Sequence, residues 1–260
     1  MANDKFAIVT GASRGIGLEL AKLAQADGYD LLVAADVPFT DEGAVLAGQP
    51  GIETLEVDLS TTDGVDQLLS AVGGRKVDVL FANAGHGLGR AFLDQDPADW
   101  QHVVNTNITG TVYLLQKVLG DMVRRNDGKV LVTGSIAGYI PGSFQAVYNG
   151  TKAFVDSFVA AIQNEIKDAD GVTLTNLMPG PVETDFFERG DMMDTDVGTD
   201  PKKSDPADVA KDGYDALFAG KASIVSGWKN KVQSTLANVT PNSVLAEQHR
   251  GMAEPGSAND

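Results

Sequence analysis

The chain of 260 residues contains no cysteine, which excludes a disulfide scaffold, a thiolate metal centre and a cysteine nucleophile. Histidine is scarce as well. His86, His102 and His249 stand far apart, no His/carboxylate spacing suits a ligand set, and no metal is expected. Basic residues are outnumbered: 20 Lys and Arg face 36 Asp and Glu, giving a formal net charge of −16 and a pI near 4.4. Such a charge repels nucleic-acid phosphates and anionic lipid, so neither is expected as a partner. Long apolar runs are missing too. No stretch approaches the roughly 20 residues of a membrane span, and Met1–Thr10 lacks the basic and apolar parts of a secretory signal, so a cytoplasmic protein is expected.

What is present is 43% hydrophobic side chains, enough to cover one core. Residues 1–252 are expected to form a single domain, and 253–260, small and polar with Pro and Gly, a flexible tail. Short apolar runs alternate with helical patterns. Phe6–Val9, Leu31–Val33, Val77–Phe81, Val130–Val132 and Val172–Met178 read as buried strands, with Ile52–Val57 and Ser223–Val225 as weaker ones. Helix ends are marked by Gly28, Asp96-Pro97, Asp205-Pro206 and Gly220. Strand and helix in regular succession predict a doubly wound, Rossmann-type α/β fold, a parallel seven-stranded sheet with helices on both faces. Ligands in such a sheet sit beyond the carboxyl ends of the strands.

The residues at those ends suit a dinucleotide. Thr10-Gly11-Ala12-Ser13-Arg14-Gly15-Ile16-Gly17 follows the first strand and opens a helix, so its glycines let the backbone turn tightly and approach a pyrophosphate. Asp36 ends the second strand nineteen residues past Gly17, where a carboxylate can accept from adenosine ribose hydroxyls. Asp58-Leu59 after the third strand and Asn83-Ala84-Gly85 after the fourth share this rim, although each could be only a turn. Tyr148 and Lys152 lie four apart on a predicted helix from about 146 to 167, hence on one face. An ammonium beside a phenol favours the phenolate and brings the group toward acid/base duty. Ser135, just after the fifth strand, could hydrogen-bond the same substrate oxygen.

Taken in order, these motifs resemble the short-chain dehydrogenase/reductase family, of the shorter type without an added substrate domain. The resemblance runs from Phe6 to about Gly227: Thr-Gly-x-x-x-Gly-x-Gly at Thr10–Gly17, Asn-Ala-Gly at Asn83–Gly85, Asn107, Ser135, and Tyr-x-x-x-Lys at Tyr148–Lys152. Pro179-Gly180-Pro181-Val182-Glu183-Thr184 is similar to the family's nicotinamide-contacting segment. The resemblance implies an NAD(P)-dependent oxidoreductase moving a hydride between nicotinamide and a ketone, aldehyde or secondary alcohol. In it Tyr148 transfers the proton, Ser135 polarises the carbonyl, Lys152 binds the nicotinamide ribose and lowers the tyrosine pKa, and Asn107 holds a water behind the lysine. The alternative is a dinucleotide-sensing regulator on the same fold that performs no chemistry.

Asp36 predicts NAD(H) over NADP(H), because a 2′-phosphate would meet its charge. Arg14 leaves NADP(H) open, since it could meet that phosphate or pair with Asp36 itself. Residues 185–204, with Phe186, Phe187, Met192 and Met193 among acids, read as a lid, and Tyr139-Ile140-Pro141, Phe144 and Gln145 as the opposite wall. Broad apolar bands on the helix after Tyr148 and on a helix from Pro97 to about Arg124 predict a homo-oligomer, a tetramer or dimer.

Overall fold

β-branched and apolar runs form central strands when a sheet is covered on both faces. The computed structural model describes residues 5–258 and has seven strands, five of them central: β1 (Phe6–Thr10), β2 (Asp30–Ala35), β3 (Ile52–Glu56), β4 (Val79–Ala82), β5 (Gly128–Thr133), β6 (Val172–Met178) and β7 (Ser223–Val225). All pair in parallel, in the order β3-β2-β1-β4-β5-β6-β7. This is the expected doubly wound sheet. Strand order reverses between β1 and β4, which opens a crevice at their carboxyl ends.

The helices are α1 (Gly15–Ala26), α2 (Asp41–Ala47), α3 (Thr62–Val72), α4 (Pro97–Val104), α5 (Thr111–Arg125), α6 (Ala146–Glu165), α7 (Phe186–Arg189), α8 (Asp196–Thr199), α9 (Pro206–Phe218), α10 (Trp228–Ala237) and α11 (Asn242–Ala253). Side chains alternate along each strand. Ile8, Leu80 and Val130 pack with Leu68 of α3, Met122 of α5 and Val159 of α6. Their neighbours Val9, Phe81 and Leu131 pack with Leu20 of α1 and Leu217 of α9 on the other side. The two layers pin the sheet, so the loops at its carboxyl edge start from fixed points.

Two expectations are corrected. Pro97–Arg124 is not one regular helix: a π turn at Asn105–Gly110 separates α4 from α5. Gly110 is pressed against the β3–α3 loop so closely that a Cβ would lie 1.9 Å from the Leu59 carbonyl oxygen. The tail is also held through residue 258. Ala253 is buried at the end of α11, the Gly256 and Ala258 N–H groups donate to the Asp194 carbonyl (2.9 and 3.2 Å), and the Asp196 N–H donates to Ser257 Oγ (3.0 Å). Small residues let this segment run close enough to make those bonds. Residues 259–260 lie outside the described residues. No described helix is long and apolar enough to cross a membrane.

Candidate active site

The turn after β1 takes its shape from glycine. Gly11 (φ +64°) and Gly15 (φ +58°) adopt left-handed conformations that strain other residues. At Gly17 a Cβ would stand 2.2 Å from the Gly11 carbonyl oxygen, so only glycine lets α1 rest on the turn. Asn83 binds three strand ends together: its Nδ2 donates to the carbonyls of Thr10 (3.2 Å) and Gly11 (3.3 Å), and its Oδ1 accepts from Thr133 Oγ1 (3.0 Å). Asp58 accepts from the backbone N–H and the hydroxyl of Ser60 (both 2.8 Å), so it also shapes its own turn. These contacts frame a cleft of about 960 Å³. Gly11, Ser13, Arg14, Gly15, Ile16, Asp36, Asp58, Leu59, Asn83, Ala84, Gly85, Pro179, Gly180, Val182 and Thr184 all line it, whereas Gly17 acts from behind by packing.

Ser135, Tyr148 and Lys152 line the same cleft and are buried. Lys152 Nζ donates to the Thr133 carbonyl (2.8 Å) and lies 5.9 Å from the centre of the Tyr148 ring. Burial pushes the phenol up to about 12; a hydrogen bond with Ser135 pulls the other way, and the Asp156 charge adds to the rise. Burial also brings Lys152 down to about 8, against the attraction of Asp156. The expected lowering of the tyrosine pKa by Lys152 is therefore corrected in this structure. Loss of water outweighs the Ser135 hydrogen bond, the one lowering influence on the phenol, while the Lys152 ammonium is turned to a backbone carbonyl.

Asp156, one turn beyond Lys152 on α6, was not singled out by the sequence. Burial raises it to about 6, although it accepts from Asn176 Nδ2 (2.8 Å) and is drawn on by Lys152. Its Oδ2 is buried without a hydrogen-bond partner among the described residues.

Asn107 sits in the π turn, buried and outside the cleft lining. Both ends of its amide are engaged: Nδ2 donates to the His86 carbonyl and to Thr151 Oγ1 (both 2.9 Å), and Oδ1 accepts from the His86 N–H (2.8 Å). It ties the loop after β4 to α6.

The lid lies closed over Tyr148. The Phe186 ring is 5.1 Å from the tyrosine ring, while Phe187 and Met192 are buried and Met193 is half exposed. Three arginines anchor it. Arg90 bonds Asp191 (2.6 Å) and Asp194 (2.7 Å). Arg14 pairs with Asp185, not with Asp36. The partner of Asp36 is Arg189 of the lid, whose Nη2 lies 2.5 Å from Asp36 Oδ2 and 3.3 Å from His86 Nε2. Burial works to raise the Asp36 carboxyl, but the bond and charge of Arg189 outweigh it and hold the group below its ordinary value. The histidines are less scattered than the sequence implied. His86 and His102 meet edge to face at 5.0 Å, and their ligand atoms and that of Asp36 lie within 4.8 Å of one another, although the Arg189 guanidinium is already bonded to two of the three. On the opposite wall Ile140 and Gln145 line the cleft, joined by Trp228, His249 and Met252. Phe144 does not, because it packs beneath Arg250, 4.9 Å from its ring centre.

A family model described as short chain dehydrogenase matches residues 5–193. The chain belongs to the short-chain dehydrogenase family. An uncharacterized oxidoreductase of Staphylococcus epidermidis is 30% identical over 191 residues, covering 72% of this chain and 82% of the relative. Among solved structures, a short-chain dehydrogenase from Sphingobium yanoikuyae in complex with NADPH superposes with a TM-score of 0.78 at 20% identity, covering 94% of this chain and 95% of that one. A short chain dehydrogenase/reductase from Burkholderia phymatum in complex with NAD gives 0.76 at 23%, covering 89% and 92%. At those identities the likeness is one of fold.

Within this short-chain dehydrogenase, Arg189, Asp156, Trp228, His249 and Met252 are among the cleft residues or neighbours that sequence reasoning missed. Only Arg189 left a trace in the sequence, as a cation within a segment of mostly acidic charge.

Proposed function

We propose that this chain is a cytoplasmic carbonyl reductase or alcohol dehydrogenase that uses a nicotinamide dinucleotide. The observation that carries the reading is that one cleft unites the glycine turn and Asp36 with Ser135, Tyr148 and Lys152. The glycine cradle suits a pyrophosphate, because Gly11 and Gly15 line the cleft without side chains at the start of α1, where free backbone N–H groups favour an anion. When bound, the nicotinamide supplies or accepts the hydride.

The protein's own residues do the rest. With its pKa near 12 the Tyr148 phenol keeps its proton at neutral pH, as a donor to a ketone oxygen must. Ser135 donates a second hydrogen bond to that oxygen. Lys152 holds the nicotinamide ribose and offers the replacement proton, and Asn107 fixes the loop and helix around it. Closure of Phe186 over Tyr148 excludes water and favours neutral, medium-sized, apolar carbonyl compounds over anions.

NAD(H) is favoured over NADP(H). A 2′-phosphate about 4 Å from Asp36 would meet about 4 kcal/mol of repulsion per charge pair at an effective dielectric near 20. Solved proteins of this fold carry either cofactor, and the Arg189 pair narrows the margin. The test is loss of reduced-nicotinamide absorbance with NADH or NADPH across a panel of ketones. Turnover faster with NADH is expected. Silence on every ketone despite dinucleotide binding would replace this reading with the sensing regulator.

A further inference from the structure

We propose that Arg189, carried by the lid, sets how strongly the cofactor site discriminates between a 2′-hydroxyl and a 2′-phosphate on the adenosine ribose. The inference rests on the dinucleotide reading above. The sequence singles out Arg14, in the glycine turn, as the cation that could meet Asp36, yet Arg14 is paired with Asp185. The charge that meets Asp36 comes from 153 residues away, where Arg189 Nη2 lies 2.5 Å from its Oδ2.

That guanidinium is held in place from several sides. His86 turns Nδ1 to the Gly87 carbonyl (3.1 Å), which leaves Nε2 as an acceptor for Arg189 at 3.3 Å. The next residue, Gly190, accepts through its carbonyl from the Gly89 N–H (2.7 Å), and Arg90 grips Asp191 and Asp194 just beyond. Both residues of the pair line the cleft. The adenosine end therefore presents a carboxylate and a guanidinium together rather than a bare negative charge. The carboxylate keeps its capacity to accept from ribose hydroxyls. The guanidinium has further donors, on Nε and Nη1, in the fork that suits phosphate oxygens. A hydroxyl gains little from that cation, whereas for a phosphate it offsets part of the repulsion from Asp36.

The experiment compares kcat/KM for NADPH and NADH on one reducible ketone in the wild type, Arg189→Gln, Arg189→Lys and Arg90→Gln, with dissociation constants for both cofactors measured calorimetrically without ketone. Arg189→Gln is expected to lower the NADPH:NADH ratio at least tenfold in both measurements, and Arg189→Lys to hold it within threefold of wild type. Arg90→Gln, which slackens the lid but keeps the Arg189 guanidinium on the chain, is expected to lower the ratio by less than threefold, well short of the Arg189→Gln effect. An unchanged ratio in Arg189→Gln, or an equal shift in Arg90→Gln, would overturn the proposal while sparing the dinucleotide reading. If the wild type binds neither cofactor, that reading fails and the proposal fails with it.

Discussion

Tyr148 and Asp156 stand two turns apart on α6, and each makes a measurable claim. Tyr148→Phe removes the proton donor and keeps the ring against Phe186, so turnover is expected to fall about a hundredfold to ten-thousandfold, with a far smaller change in dinucleotide affinity. Turnover within threefold of the wild type would remove Tyr148 from the mechanism. Asp156 acts on stability. Folded, it holds its proton up to about pH 6, against an ordinary 3.8. Folding therefore takes up a proton between those values, and the associated stability is complete below the ordinary value and lost as pH rises through about 6. At about 1.36 kcal/mol per pKa unit, the loss is on the order of 3 kcal/mol. Asp156→Asn lacks this slope, so the melting temperature of the wild type relative to the variant should decline between pH 4 and pH 7; a constant difference would contradict it. Tyr148, Ser135 and Lys152 were legible in the sequence because strand ends and a four-residue helical interval place them. Asp156 and Arg189 were not, since an aspartate on a helix or an arginine in a loop looks solvated until the fold supplies Asn176 or Asp36 as its partner.

Among the elements, the five inner strands were readable because their composition is that of a sheet buried on both faces, whereas the edge strands β3 and β7 are partly exposed and gave weaker signals. The π turn was not, because it comes from the approach of Gly110 to Leu59, a contact between segments about fifty residues apart. The lid was recognised as a segment, but its order comes from charged anchors elsewhere in the chain. Arg90 is the chief of these, since it meets two carboxylates at once and bonds Asp191 through both Nε and Nη2. Partly exposed pairs are worth about 1 kcal/mol at most, which corresponds to about a fivefold change in the population of an open lid. Arg90→Gln should therefore be cut several-fold faster by a protease within residues 185–204, followed by mass spectrometry of the fragments. Equal cleavage rates would show that apolar packing of Phe187 and Met192 alone holds the lid.

On the scale of the whole molecule, the broad apolar band on α5 is largely accounted for within one chain, with Leu115, Val118, Leu119 and Met122 buried. α6 is different. Phe154 stays 41% exposed and stacks on the partly buried Phe158 with ring centres 5.7 Å apart, leaving an apolar ring on the surface. A homo-oligomer covering that face is expected. Light scattering at micromolar concentration should give a dimer or tetramer mass, and Phe154→Asp should shift it downward; a monomeric wild type would refute the expectation. One further property follows from Trp228, which stands 72% exposed on the cleft wall at the head of α10. Trp100, on α4, is the only other indole in the chain. Indole emission overlaps the absorption of reduced nicotinamide, so the molecule carries its own optical gauge: its ultraviolet fluorescence should dim as the cleft fills, and Trp228→Phe would assign the signal without any attached dye.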